Sequence, residues 1–193
     1  MSSMYPWGGE FTIGNTESCV AAVTLSSEFA LPKAKVAIYG PMKTENIGIE
    51  KVIANVISNP RIRFLLLCGE EVRGHRSGAT LIALHANGLD DGNRVISAPG
   101  AVPYVENLER PAVERFRSQV QLIDMTGCTD KAALTARIDE LLAKGPGPFG
   151  EPFIAERVVA AIRKGANLGD IVALHRTIAL GPFGEVSDVQ LRD

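Results

Sequence analysis

The sequence predicts an α/β fold, a mostly parallel sheet with helices on both faces followed by a C-terminal appendage. Three observations predict it. Short apolar runs alternate with segments of helical periodicity, the pattern of repeated strand–helix units. One strand, expected over Ile62 to Cys68, carries the unbroken run Phe64-Leu65-Leu66-Leu67-Cys68 and lacks the alternation of a half-exposed strand, so it belongs in the sheet interior. The organisation then changes after Lys144, where Gly145 to Gly150 is rich in glycine and proline.

The elements follow in order. Val20 to Leu25 and Ala34 to Tyr39 read as strands, and Gly40-Pro41 breaks the second. Ile49, Val52, Ile53, Val56 and Ile57 lie at helical spacing, with Asn59-Pro60 as the stop. After the central strand a helix is expected from about Ala79 to Ala86, ended by Asn87-Gly88. Arg94 to Ala98 reads as a brief strand and Glu109 to Arg117 as a helix with Val113 and Phe116 on one face. Val120 to Met125 is another strand. Thr129 is the expected N-cap of a helix whose buried stripe is Leu134, Ile138, Leu141 and Leu142. Phe153 to Lys164 reads as one more helix. The expected division is residues 1–144 as the ligand-binding domain and 145–193 as the extension. Gly-Pro-Phe-Gly-Glu occurs at Gly147 to Glu151 and again at Gly181 to Glu185, too short to define a repeat architecture.

Composition narrows the function. The 193 residues are 46 % hydrophobic and 22 % charged, an ordinary globular balance with material for a core. A net charge of -2 gives no basic footprint for nucleic acid. Cys19, Cys68 and Cys128 are odd in number and far apart, which argues for free thiols in a reducing compartment and against zinc spacing. No stretch approaches the ~20 apolar residues of a membrane helix, and Met1 to Gly14 lacks a signal-peptide pattern, so a soluble cytoplasmic protein is expected.

Chemistry concentrates in three loops. His75, between Gly74 and Gly78, follows the most apolar strand, and ligands bind at strand C-terminal ends in this architecture. From position alone it is either an inert loop histidine or a cofactor ligand or acid/base. The two glycines permit close approach of a large ligand. The loop Gly40 to Asn46 has two readings as well. Thr44 and Glu45 suit the start of a helix, and Lys43 with the helix amides forms an edge for anions or amides. Glu45 is placed to orient the His75 ring. The third loop, Ala98 to Asn107, holds two prolines, Gly100 and Tyr104, and is long for a connector. His85 in Leu84-His85-Ala86-Asn87-Gly88 reads as a helix-end histidine, and His175 as a structural residue of a tail helix or loop. No Gly-x-Gly-x-x-Gly follows the first strand, which disfavours a nucleotide-binding protein.

Taken together, Gly40-Pro41, Lys43-Thr44-Glu45-Asn46, Gly48-Ile49-Glu50-Lys51, Gly74-His75, Gly78, Leu84-His85, Asn87-Gly88 and Gly100 to Asn107 closely resemble the A subunit of tetrahydromethanopterin S-methyltransferase, from about Trp7 to Gly145. His75 to Gly78 also matches half of the Asp-x-His-x-x-Gly signature of cobalamin-binding domains, with Arg73 at the aspartate position. The resemblance implies a Rossmann-like fold and a corrinoid carrier that accepts and donates a methyl group through cobalt. It implies His75 as catalytic residue and metal ligand beneath a cobalamin or another cobamide. It implies Gly74, Gly78, Lys43, Thr44, Glu45, Asn46, Gly100, Pro103, Tyr104, Glu106 and Asn107 around that cofactor. The partner it implies is a pterin-dependent methyltransferase subunit (tetrahydromethanopterin or tetrahydrofolate). Family members in the membrane complex carry a C-terminal membrane helix; this chain resembles the soluble homologues, and Met42 stands where many members have cysteine. A storage, delivery or sensing module for a cobamide, without methyl transfer, is the alternative.

Overall fold

A computed structural model describes residues 4–157 in full, and of the remainder only the backbone of 172–175, 178–180 and 186–188. The elements are β1 (Thr12–Ile13), β2 (Val20–Val23), β3 (Ile38–Gly40), α1 (Ile47–Ile57), β4 (Phe64–Gly69), α2 (Ser77–Asn87), α3 (Arg110–Gln119), β5 (Gln121–Thr126) and α4 (Lys131–Ala143). The chain divides into two compact units, Met1–Val158 and Val159–Asp193. In the second, β6 (Val172–His175), β7 (Ile178–Leu180) and β8 (Val186–Asp188) pair antiparallel in that order. His175 thus lies at a strand end, not in a helix or loop.

The first unit holds a mixed, mostly parallel five-stranded sheet in the order β1-β3-β2-β4-β5, in which only β1 runs antiparallel to its neighbour. This is the α/β, Rossmann-like arrangement the alternation predicts. Every β4 residue is buried, because side chains alternate between two covered faces. Leu65 and Leu67 point into a core with Ile53, Leu81, Leu84, Val113 and Phe116 from α1, α2 and α3. Phe64, Leu66 and Cys68 point into a second core closed by Leu134, Ile138 and Leu141 of α4.

Three local readings in this unit differ from the sequence expectation. Arg94 to Ala98 forms isolated bridges with Leu89 and Tyr104, not a sheet strand. Its amides are used inside the same loop, Arg94 N–H donating to the Asp90 carboxylate and Val95 N–H to Pro103 O. The α4 N-cap is Asp130, not Thr129, because the Asp130 side chain accepts from the Ala132 amide. Residues 153–157 hold no helix, with Phe153 N–H on Ile57 O and Ala155 O accepting from the Trp7 indole; the rest of the helix expected from Phe153, and the second Gly-Pro-Phe-Gly-Glu, lie outside the described residues. The first copy is anchored instead. The Phe149 ring lies under the Arg63 and Arg115 guanidiniums at 5.2 and 4.8 Å.

Candidate functional site

The β4 strand ends at Gly69 with φ +80°, and a Cβ there would lie 2.2 Å from Thr24 O, so only glycine makes this exit. The loop that follows is held by Glu71. Its carboxylate accepts the amides of Gly78 and Ala79 at 3.0 and 2.9 Å, capping α2 from six residues upstream of its first residue, and also the amide of Val72. Gly78 is buried there against Glu71 and Leu25, with its missing Cβ 2.9 and 3.1 Å from them. Its lack of a side chain therefore serves this cap. Gly74, at φ +82°, has open space where a Cβ would stand. Arg76, the N-cap of α2, takes the left-handed conformation, uncommon for a residue with a side chain.

The β3–α1 loop reaches this point across β2, since β3 and β4 are not adjacent. Met42 N–H donates to Leu25 O at 3.1 Å, and the buried Ser77 hydroxyl donates to Met42 O at 2.9 Å, so α2 and the loop are stitched together. Glu45 then faces His75. Its Oε2 lies 2.7 Å from His75 Nδ1, and its Oε1 accepts the Val102 amide at 2.8 Å. Glu45 is only 1 % exposed, whereas the His75 side chain is 52 % exposed. Burial opposes the charged carboxylate, but the Val102 amide, its own amide and His75 outweigh it and hold the Glu45 carboxyl below its ordinary value. An ionised carboxylate only accepts, so Nδ1 carries the proton and Nε2 of the neutral ring keeps its lone pair. The pair thus favours one tautomer and leaves Nε2 able to accept a proton or a metal.

The third loop closes against the same point. A Cβ on Gly100 would lie 2.7 Å from Thr80 Oγ1, 2.8 Å from Glu45 Cγ and 2.8 Å from His75 O. The Thr80 hydroxyl is fully buried there without a hydrogen-bond partner. Further along, Glu50 of α1, also 1 % exposed, accepts the amides of Glu106 and Asn107 at 2.6 and 2.8 Å and the Asn107 side chain at 3.0 Å.

Of the residues expected around a ligand, the structure brings His75, Glu45 and Gly100 together. Thr44 and Asn46 are committed to capping α1, through the amides of Gly48 and Ile47. The edge of free helix amides expected beside Lys43 is therefore reduced, and Lys43 itself lies 3.6 and 3.8 Å from Glu10 and Glu28. Glu45 precedes α1, not within its first turn, and turns to the histidine. Pro103 is buried with its carbonyl on Val95 N–H, Tyr104 is half-buried beside Arg94, and Asn107 is tied to Glu50. Sequence reasoning passed over Glu50 and Val102. Glu50 had a signal, since Glu50, Ile53, Ala54 and Ile57 form one buried helical stripe with a single acid in it. A backbone donor such as Val102 N–H leaves no trace in side-chain pattern.

His85 is structural. Its Nε2 lies 2.7 Å from Val120 O and its ring meets Phe116 edge-on, so it bridges to the chain before β5 instead of its own helix end. Burial, with Cys128 beside it, pushes the Cys68 thiol up to about 12, which makes it inert. The three cysteines are free. Two cavities, of about 390 and 490 Å³, lie on the β2–β3 side of the Gly40–Asn46 loop, one lined by Phe11, Met42 and Lys51 and the other by Thr24, Phe29 and Tyr39. Neither includes His75, whose side chain is half exposed. The convergent polar groups mark the chemistry here, not the enclosed volume. Among the described residues no cluster of three or more His, Cys, Asp or Glu is arranged for a metal ion, and no helix is long and apolar enough to cross a membrane.

Comparison with known proteins identifies the family. The family model for the A subunit of tetrahydromethanopterin S-methyltransferase matches residues 2–166. The chain belongs to this family. Its relatives include the A subunit of Methanocaldococcus jannaschii, 52 % identical over 153 residues, covering 77 % of this chain and 64 % of the relative. Methanothermobacter marburgensis has a relative in the second of its numbered A subunits, 51 % identical over 146 residues, covering 74 % of this chain and 79 % of the relative. The first numbered A subunit of Methanothermobacter thermautotrophicus is 46 % identical over 162 residues, covering 82 % of this chain and 66 % of the relative. The chain therefore spans somewhat under two thirds of the length of the Methanocaldococcus jannaschii protein.

The buried carboxylate makes a testable contribution to stability. A carboxyl held below its ordinary value stabilises the fold above that value, here 4.5, and the contribution is lost as pH falls through the lowered folded value. Urea midpoints of the wild-type and Glu45→Gln proteins should differ at about pH 6 and converge on acidification below about pH 4. A gap that widens with acid would contradict an ionised Glu45.

Proposed function

We propose that this chain is a corrinoid carrier, holding a cobamide with His75 Nε2 as lower axial ligand to cobalt. The observation that carries the reading is the His75–Glu45 pair, which favours one ring tautomer and leaves Nε2 of the half-exposed side chain able to accept a metal. The donor set fits. One histidine cannot hold a bare metal ion, but it suits a metal that brings its equatorial ligands with it. The surroundings fit as well. Gly74, next to His75 in the chain, has open space where a Cβ would stand, and Val102, whose amide lies on the same Glu45 carboxylate, is exposed, so a large flat ring would meet little crowding.

When bound, the cobamide would supply the methyl-accepting and methyl-donating chemistry. The protein supplies the rest. Glu45 holds the Nδ1 proton and orients the ring, Glu71 and Ser77 fix the loop that carries it, and Gly100 lets the third loop close. Membership in the family supports a place in a methyl-transfer system. A pterin-dependent methyltransferase using tetrahydromethanopterin or tetrahydrofolate is the partner this reading requires. Acid weakens ligation, because a protonated imidazole has no lone pair for metal.

Titration with hydroxocobalamin, followed by visible absorption, tests the proposal. A saturable spectral change, lost on acidification and absent with nucleotides, is expected. An unchanged corrinoid spectrum with no retention on gel filtration would overturn it.

A further inference from the structure

We propose that Glu50 is a positioning residue of the same site, acting on His75 through the Ala98–Asn107 loop and Glu45. This deepens the corrinoid reading and rests on it only for its consequence at the metal.

The argument begins with a misplaced charge. Glu50 occupies the buried stripe of α1 between Ile49 and Ile53 and is 1 % exposed. A buried carboxylate is costly unless its lone pairs are filled. No lysine or arginine pairs with it among the described residues; its partners are three N–H groups, all from residues 106 and 107. The apolar core therefore accommodates a charge whose bonds all go to one loop. Charge-assisted hydrogen bonds of this kind are stronger than neutral ones.

The same loop is tied to the same helix region a second time, by Val102 N–H on Glu45. Between the two ties the loop is stiffened by Pro103, by Val95 N–H on Pro103 O, and by Val105 N–H on Asn93 O. These contacts set the shape of the excursion, whereas Glu45 and Glu50 fix its distance from α1. Because both carboxylates are carried by one short helix and its entry, the tie at Glu50 determines where the Val102 amide stands. The Val102 amide in turn occupies one Glu45 oxygen and leaves the other for His75 Nδ1. Loosening the loop frees the first oxygen, lets the carboxylate rotate, and releases the imidazole from a single tautomer.

The test is nitrogen-15 NMR of the histidine rings in the full chain without corrinoid. In the wild type, His75 should show protonated Nδ1 and bare Nε2. Glu50→Gln places an NH2 against the Asn107 NH2, a donor facing a donor. Amide exchange at Val102, Glu106 and Asn107 should speed by about 10- to 100-fold, and the His75 signals should move to a tautomer mixture. Core amides of β2 and β4 should keep wild-type exchange. Glu50→Gln combined with Asn107→Asp restores a donor–acceptor pair and should restore the tautomer. If Glu50→Gln fails to fold, Asn107→Ala, which removes one of the three bonds, should give a smaller shift in the same direction. A loosened loop with an unchanged His75 tautomer overturns the proposal. Hydroxocobalamin titration of the same samples separates the two readings. A tautomer shift in a protein that binds no corrinoid leaves the relay standing and removes the cofactor, while corrinoid binding with an indifferent tautomer does the reverse.

Discussion

Cobinamide bound to the His75→Ala protein is expected to give a cobalt(II) paramagnetic spectrum without nitrogen coupling. Cobinamide has no base of its own, so any axial nitrogen must come from the protein. On the proposed reading that nitrogen is Nε2 of His75, since Nδ1 is held 2.7 Å from the Glu45 carboxylate. The His75 side chain is half exposed, so its removal opens no core cavity and lets water reach the Glu45 oxygen it leaves, which should keep the loss of thermal stability modest. Loss of coupling with the fold intact is therefore the expected result. Coupling that survives the substitution would take His75 out of the ligand role.

Gly100→Ala should strain the point where the three loops meet. The new Cβ would stand 2.7 Å from Thr80 Oγ1, 2.8 Å from Glu45 Cγ and 2.8 Å from His75 O. None of the three is the free end of a long side chain. Thr80 is fully buried in α2, and His75 O is backbone. Overpacking of this kind costs about 1–3 kcal/mol, and the loop is the element with room to retreat. Retreat would draw the Val102 amide from Glu45, so the variant should lose stability and corrinoid ligation together. Chemical denaturation and cobinamide titration measure the two. Wild-type behaviour in both would show that the three loops are less closely packed than these distances require.

Much of this was legible in the sequence. The strands Val20–Val23 and Phe64–Gly69 coincide with apolar runs because burial on two faces writes itself into side-chain type, and α1 to α4 fall where helices were expected. Arg94 to Ala98 misled for the same reason. Val95 and Ala98 are buried and apolar, but their amides turn inward to the loop and never reach the sheet. Phe153 misled too, since the Ala155 carbonyl, which a helix from Phe153 would use within itself, accepts from the Trp7 indole. At the site, the pairing of Glu45 with His75 followed from both lying in loops beyond strand C-termini. The path between them did not. It runs over β2 through Met42, Leu25 and Ser77, and it uses backbone groups that every residue type shares.

The two oxygens of Glu45 have different owners, one the ring of His75 and the other the amide of Val102. Binding at either therefore obeys thermodynamic reciprocity. Whatever draws the imidazole away from Glu45 changes how firmly the Ala98–Asn107 loop is held. Whatever docks on that loop changes, by the same factor, how firmly Glu45 holds the imidazole. If the proposed cobamide sits on Nε2, a protein partner that settles on exposed Val102 would sense the state of its cobalt without touching it.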